Sequence, residues 1–303
     1  MKETFFHYAD LENKECVKAK PYVVSADIRI LLQPWADEKG FVLPNSDFFG
    51  QIRTGFSSYM KTIFPGFELV GEAELTNGLT NMVKTNGVFP ISLDRVYYRT
   101  EPSLDIARMV DNQGNDRGLS RRADSPALLS QFRELRKLGL IKIALVDDVI
   151  FTGDLLKRVS GLLERMGIEV PLIYAGIGIS EGVNKLSSDG KKVLCVKQYS
   201  EVIDEICERD FYPGVPLSGR LVNATDNIGA PYILPFGNPE KWASIPFEFQ
   251  TEFSRYCINQ TIRLFCAIEE TSEKVITCSD IERRVIGLPM DDTRIVDFLK
   301  GLL

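Results

Sequence analysis

Residues 141–156 read IKIALVDDVIFTGDLL, and this stretch decides the fold. A short apolar run, Ile143 to Val146, ends in two adjacent carboxylates, Asp147 and Asp148. The run suits a buried parallel strand, because successive side chains are apolar on both faces. A turn, Phe151-Thr152-Gly153, follows, and an amphipathic helix is predicted from Asp154. Such a turn leaves free backbone N–H groups at a helix N-terminus, where a phosphate can sit. Two carboxylates just before it can accept hydrogen bonds from vicinal hydroxyls or help to hold a magnesium ion. A ribose 5-phosphate carries that pair of groups, a phosphate at one end and a diol at the other. The bland alternative is a plain strand–turn–helix with Thr152 as a cap.

Working outward, strand and helix signals alternate. Residues 21–33 read as strand or hairpin. A helix is predicted over 46–63, broken by Pro65-Gly66, and FELV (67–70) is a short strand. The turn GEAELTNG (71–78) leads into a short helix over 75–84. RVYYRTE (95–101) reads as the next strand, 102–126 as a polar loop, and 127–137 as a helix. After the central stretch come a helix (154–166), a strand (169–179), a strand (192–199) and a helix (201–208). This alternation predicts a doubly wound α/β fold, a parallel sheet with helices on both faces and the ligand at the strand C-termini. Three regions are expected: an N-terminal region over 1–45, an α/β core over 46–222, and a C-terminal helical module over 223–303.

The composition narrows the function classes. At 303 residues with 44% hydrophobic and 26% charged content, the chain can bury a large core as a globular protein. The net charge of −6 argues against a general nucleic-acid coat protein. No apolar run approaches the length of a membrane span, and no signal-peptide core opens the chain. The six cysteines form no CxxC pair, which fits reduced thiols in a cytoplasm rather than a zinc site or disulfide framework. His7 is the only histidine, so acid–base work is expected of carboxylates, lysines or tyrosines.

The central stretch resembles the phosphoribosyl pyrophosphate (PRPP) signature of type I phosphoribosyltransferases. Ala144 to Val146, Asp147, Asp148, Val149, Ile150, Thr152 and Gly153 match it. The order of elements is similar to the orotate-type members over roughly residues 20–220. The resemblance implies a base-covering hood near residues 16–45 and a pyrophosphate loop after FELV. It also implies a flexible loop over 102–126 that brings one of Arg108, Arg117, Arg121 or Arg122 over the reaction. Implied roles are ribose and metal binding by Asp147 and Asp148, and 5-phosphate binding by Phe151, Thr152, Gly153, Asp154 and Leu155. Arg99 would pair with pyrophosphate. PRPP and Mg2+ are the implied ligands and a homodimer the implied assembly.

Several positions depart from the pattern. Phe151 stands where a small residue or Asp is usual, Leu155 where many members carry a hydroxyl, and Asp154 adds negative charge beside the phosphate. Glu72 and Glu74 occupy the pyrophosphate-loop position. Either they face away, or they ligate metal, or the chain does not handle pyrophosphate; a glutamate such as Glu74 near C1 would then serve as nucleophile or base. In ERDFYPGVPLSGR (208–220), Phe211 and Tyr212 either stack on a base or lie in a lid over the core.

At the C-terminal end, 249–268 predicts an apolar-striped helix. Ser279 and Asp291 or Asp292 are expected to cap two short helices joined at Gly287, resembling a helix-turn-helix. A DNA reader should be basic there, whereas the second helix opens with two aspartates, so a packing or protein-contact module is favoured over DNA. Two functions follow. One is a magnesium- and PRPP-dependent transferase moving phosphoribose to or from a nucleobase. The other is a PRPP or nucleotide sensor, regulator or anti-phage effector acting through the C-terminal module.

Overall fold

The computed structural model describes residues 20–111, 115–123 and 125–303. His7 and Cys16 lie outside the described residues. The first third of the chain runs β1 (Tyr22–Ser25), α1 (Ile28–Lys39), α2 (Ser46–Ile63), β2 (Phe67–Val70), α3 (Glu72–Lys84) and β3 (Phe89–Ser92). Next come β4 (Ile106–Val110), β5 (Asp116–Arg121), α4 (Leu128–Lys137), β6 (Lys142–Ile150), α5 (Asp154–Arg165), β7 (Glu169–Ile179), α6 (Ser180–Ser188), β8 (Lys192–Tyr199) and β9 (Asp204–Cys207). The last part carries β10 (Arg220–Asn223), β11 (Ile228–Ala230), α7 (Pro239–Ala243), α8 (Gln250–Ser272), β12 (Arg284–Val285) and α9 (Ile295–Lys300).

The architecture is mixed α/β with parallel sheets. Strands β3-β6-β7-β8 form a four-stranded parallel sheet, and β2-β1-β9 a three-stranded parallel one. Helices cover both faces of the larger sheet, because its strands are apolar on both sides. Ala144, Val146 and Tyr174 face α3 through Leu75, Leu79 and Val83. Ile143, Leu145 and Ile173 face α4, α5 and α6 through Phe132, Leu156, Val159 and Leu186. A third, mixed sheet of order β12-β11-β10-β4-β5 stands beside them.

The N-terminal stretch is built into a sheet. β1 is the central strand of its sheet, with Val23 and Val24 buried between β2 and β9. The expected strand or hairpin stops at Ser25 because α1 begins at Ile28. Its first free N–H groups, of Asp27 and Ile28, donate to Oε2 of Glu208, far along the chain. Trp35 of α1 stacks on Phe41 and meets Phe265 of α8 edge-on. One apolar cluster runs through all three stretches that the sequence divides at 45 and 222.

Four further expectations are corrected. Residues 95–101 form no strand: the Thr100 hydroxyl takes the Ser92 N–H at 2.8 Å and folds the chain back. The polar stretch 102–126 contains an antiparallel hairpin, β4–β5, rather than an irregular loop. Residues 204–207 pair in parallel with β1 as β9 instead of forming a helix. No helix-turn-helix forms: Thr277 and Asp280 make a capping box, but only one 3-10 turn (278–280) follows before β12 pairs with β11. The final helix does form, as α9, with Ile295 and Leu299 buried. Phe211 and Tyr212 are fully buried against Phe56, so they are core rather than base platforms.

Candidate functional site

Asp147 and Asp148 lie within β6 near its C-terminal end, and α5 starts four residues after Ile150. Gly153 closes the turn at φ 74°, a conformation that favours glycine. The turn lies tight against α6 at Gly182, where no side chain could fit: a Cβ there would come 2.8 Å from the Gly153 nitrogen. The Thr152 hydroxyl accepts the Asp154 N–H at 3.4 Å. Asp154 itself turns away, to the Lys185 ammonium at 2.5 Å, which holds its carboxyl below the usual range. Its charge therefore faces α6 and not the phosphate side of the turn.

A cleft of about 420 Å³ opens over this turn. Of the residues expected from sequence, Asp147, Asp148, Phe151, Thr152, Gly153 and Leu155 line it, as do Arg108 and Arg122 of the hairpin. Asp154, Arg99 and Glu74 do not. Arg99 lies in the irregular segment after β3 and donates Nε–H to the Arg95 carbonyl at 3.1 Å. Glu74 is half exposed on the first turn of α3, 3.8 Å from Lys197. α3 begins immediately after Gly71, so the expected loop is the first turn of a helix, and that turn carries Glu72 and Glu74. Glu72 is committed elsewhere, to Arg53 at 2.5 Å, and Arg53 also grips buried Glu208. Arg117 is exposed and paired with Asp111, and Arg121 bonds the Ser125 carbonyl.

Sequence reasoning missed Asp94, Arg209 and Arg283. Asp94 lies just past β3, and one carboxylate oxygen each from Asp94, Asp147 and Asp148 lie within 4.8 Å of one another. Asp94 accepts the Val96 N–H through Oδ1, while its buried Oδ2 has no partner. Burial, then the charge of Asp148, pushes its pKa up to about 8 despite Arg122 and Arg209. Asp147, 8% exposed, is raised by burial and by both neighbours. Three hard oxygen donors with one buried oxygen unsatisfied fit a divalent cation such as Mg2+. Arg209 ties Asp148 (3.2 Å) to Asp27, which is fully buried. The only signal for it was that a buried acid pair needs a counterion, and nothing local supplies one.

The raised carboxyls give a signed pH effect. An Asp whose folded pKa exceeds its unfolded value stabilises the fold below the unfolded pKa and loses that contribution as pH rises through the folded one. Metal-free stability should therefore fall from about pH 4 to 8. Asp94→Asn should flatten that slope, raising stability at pH 8 by on the order of 2 kcal/mol while weakening Mg2+ binding. Urea unfolding at pH 5 and pH 8 checks this; an unchanged slope in the variant contradicts it.

No protein-family model matches this chain, and no curated protein matches it. Among solved structures, orotate phosphoribosyltransferase from Aeropyrum pernix is matched at 12% identity over 41% of this chain and 93% of that chain. The TM-score is 0.19, and at that value the likeness carries no weight for fold or function.

Proposed function

We propose that the cleft binds the phosphorylated ribose of PRPP or of a nucleotide, with Mg2+, and that the chain transfers phosphoribose to or from a nucleobase. The observation that carries this is the joining of two sites. A helix-opening turn, Thr152-Gly153, lies in the same cleft as a carboxylate trio with one buried, unsatisfied oxygen. In this reading the N–H groups of Thr152 to Leu155 and the Thr152 hydroxyl hold the 5-phosphate. Asp148 accepts from the ribose hydroxyls, and Asp94, Asp147 and Asp148 hold the cation. The cation neutralises the leaving group, and the carboxylates favour positive charge developing at C1. A likeness in fold to type I phosphoribosyltransferases belongs to the same proposal.

The second reading, a sensor or effector that binds the ligand without turnover, is favoured by one observation. The turn after β2 presents Glu72, held in an ion-pair network, and Glu74 in the first turn of α3, charges that repel pyrophosphate. Pyrophosphate release from PRPP, with Mg2+ and a panel of free bases, separates the two. Release with one base supports the transferase and names its acceptor. Micromolar binding without release for any base supports the sensor. Asp148→Ala should abolish binding in both, and retention of binding by that variant would remove the cleft from either account.

A further inference from the structure

Several buried or half-buried guanidiniums touch a carboxylate: Arg53 with Glu208, Arg209 with Asp27, Arg294 with Glu269. Arg122 and Arg283, both lining the cleft, do not. Among the described residues neither has a carboxylate within ion-pair distance. Arg283 is 6% exposed. Its Nη1 donates to the carbonyls of Leu217 (2.9 Å) and Gly219 (3.3 Å), and its Nε to the amide oxygen of Asn227 (3.2 Å). Arg122 donates to the carbonyls of Ile106 and Leu93 at 3.3 and 3.4 Å. Every acceptor is neutral.

The position is built rather than incidental. β12 follows Arg283 directly and pairs with β11, fixing the backbone. The Arg283 stem runs over Gly229, where a Cβ would lie 2.7 Å from its Cδ. Burial, then the charges of Arg122 and Arg209, pull the Arg283 pKa down to about 10, so it stays charged at neutral pH. Asp210 and Glu282 act on it in the opposite sense. Arg220 is taken up over the rings of Tyr232 and Trp242. The Arg122 charge is felt by Asp94 and Asp147 but is not paired with either, and two guanidiniums facing one cleft without a paired carboxylate invite a bound anion.

We propose that Arg122 and Arg283 form an anion subsite that takes a second phosphate or carboxylate group of the ligand held at the Thr152-Gly153 turn. The proposal rests on the reading above for where the first phosphate sits. It makes the C-terminal segment part of the site, and it assigns the second anion to the hairpin and Arg283 rather than to the first turn of α3, where Glu72 and Glu74 stand. The ligand is then at least doubly anionic at its two ends.

The test uses the full chain and three probes by calorimetry: ribose 5-phosphate, inorganic pyrophosphate, and malonate as a dicarboxylate. Pyrophosphate or malonate should bind the wild type, and whichever binds identifies the anion. Arg122→Gln and Arg283→Lys should each weaken that probe roughly tenfold or more. Ribose 5-phosphate affinity should stay within about twofold, because it carries no second anion. If thermal unfolding shows that the Arg283 variant has lost its fold, Arg122→Gln decides alone. Failure of both probes to bind the wild type, or unchanged binding by the variants, overturns the subsite. If ribose 5-phosphate fails to bind while pyrophosphate binds in an Arg122-dependent way, the ribose-phosphate reading falls and the subsite stands.

Discussion

Arg209→Met should cost about 3–5 kcal/mol of stability, the largest single loss expected in this chain. Arg209 sits between two carboxylates. Its Nη1 and its backbone N–H serve Asp27, the latter at 2.9 Å, and its Nη2 serves Asp148. Asp27 has no exposed surface, so methionine would leave it charged in a dry site with no counterion. Burial already pushes the Asp27 pKa up to about 7, and Arg209 is what pulls it down most. The variant should raise it further. Since that raised group stabilises only when protonated, the loss should be greater at pH 8 than at pH 5.5. Urea unfolding at both pH values measures it. A loss under about 1 kcal/mol, equal at both, would mean that water replaces the guanidinium and that the Asp27–Arg209–Asp148 chain is not a buried network. The same variant should also weaken ligand binding, because Asp148 would lose the group that orients it.

Gly182→Val should act on the site without touching any ligand. A Cβ at this position would overlap the Phe151 carbonyl oxygen and lie 2.8 Å from both the Gly153 nitrogen and Ile150 Cγ2. Two of these are backbone atoms of the turn, which cannot step aside as a flexible side chain would. Either α6 slides off or the turn opens, at a cost of roughly 1–3 kcal/mol. The N–H groups of 152–155 then lose their convergence, and ribose 5-phosphate affinity should fall at least about tenfold. Gly161→Ala on α5 is the control: nothing lies within 4 Å of a Cβ there, and the change should stabilise by about 0.5–1 kcal/mol with binding intact. Equal affinity of wild type and Gly182→Val would show that the turn does not hold the phosphate.

What was legible in the sequence was local. β6 and α5 could be read because the apolar run, the two acids, the glycine and the amphipathic helix lie within 25 residues and stabilise one another. The two faces of the large sheet followed from apolar runs in β6 and β7. Arg99 misled because RVYYRTE has strand composition, yet Tyr97 is buried with its hydroxyl on the Ala26 carbonyl and Thr100 folds back on Ser92. Ser279 was expected to cap a short helix; the capping box lies instead at Thr277 and Asp280, and a cap fixes where a helix begins and not how far it runs. Asp94, Arg209 and Arg283 could not be found by pattern, since each reaches the cleft from a different sheet edge and only long-range packing brings them together. Glu208 illustrates the same limit from the other side: the carboxylate that takes the first N–H groups of α1 is 181 positions away from Asp27.

The central claim is that one cleft joins a phosphate-binding turn to a cation-binding carboxylate trio. The most direct measurement is a crystal of the protein grown with ribose 5-phosphate and Mn2+, with anomalous data at the manganese edge. A manganese peak bonded to Asp94, Asp147 and Asp148 is expected, with a phosphate on the N–H groups of residues 152–155 and the ribose hydroxyls toward Asp148. A manganese peak elsewhere, or a sugar phosphate bound away from the Thr152-Gly153 turn, would contradict it.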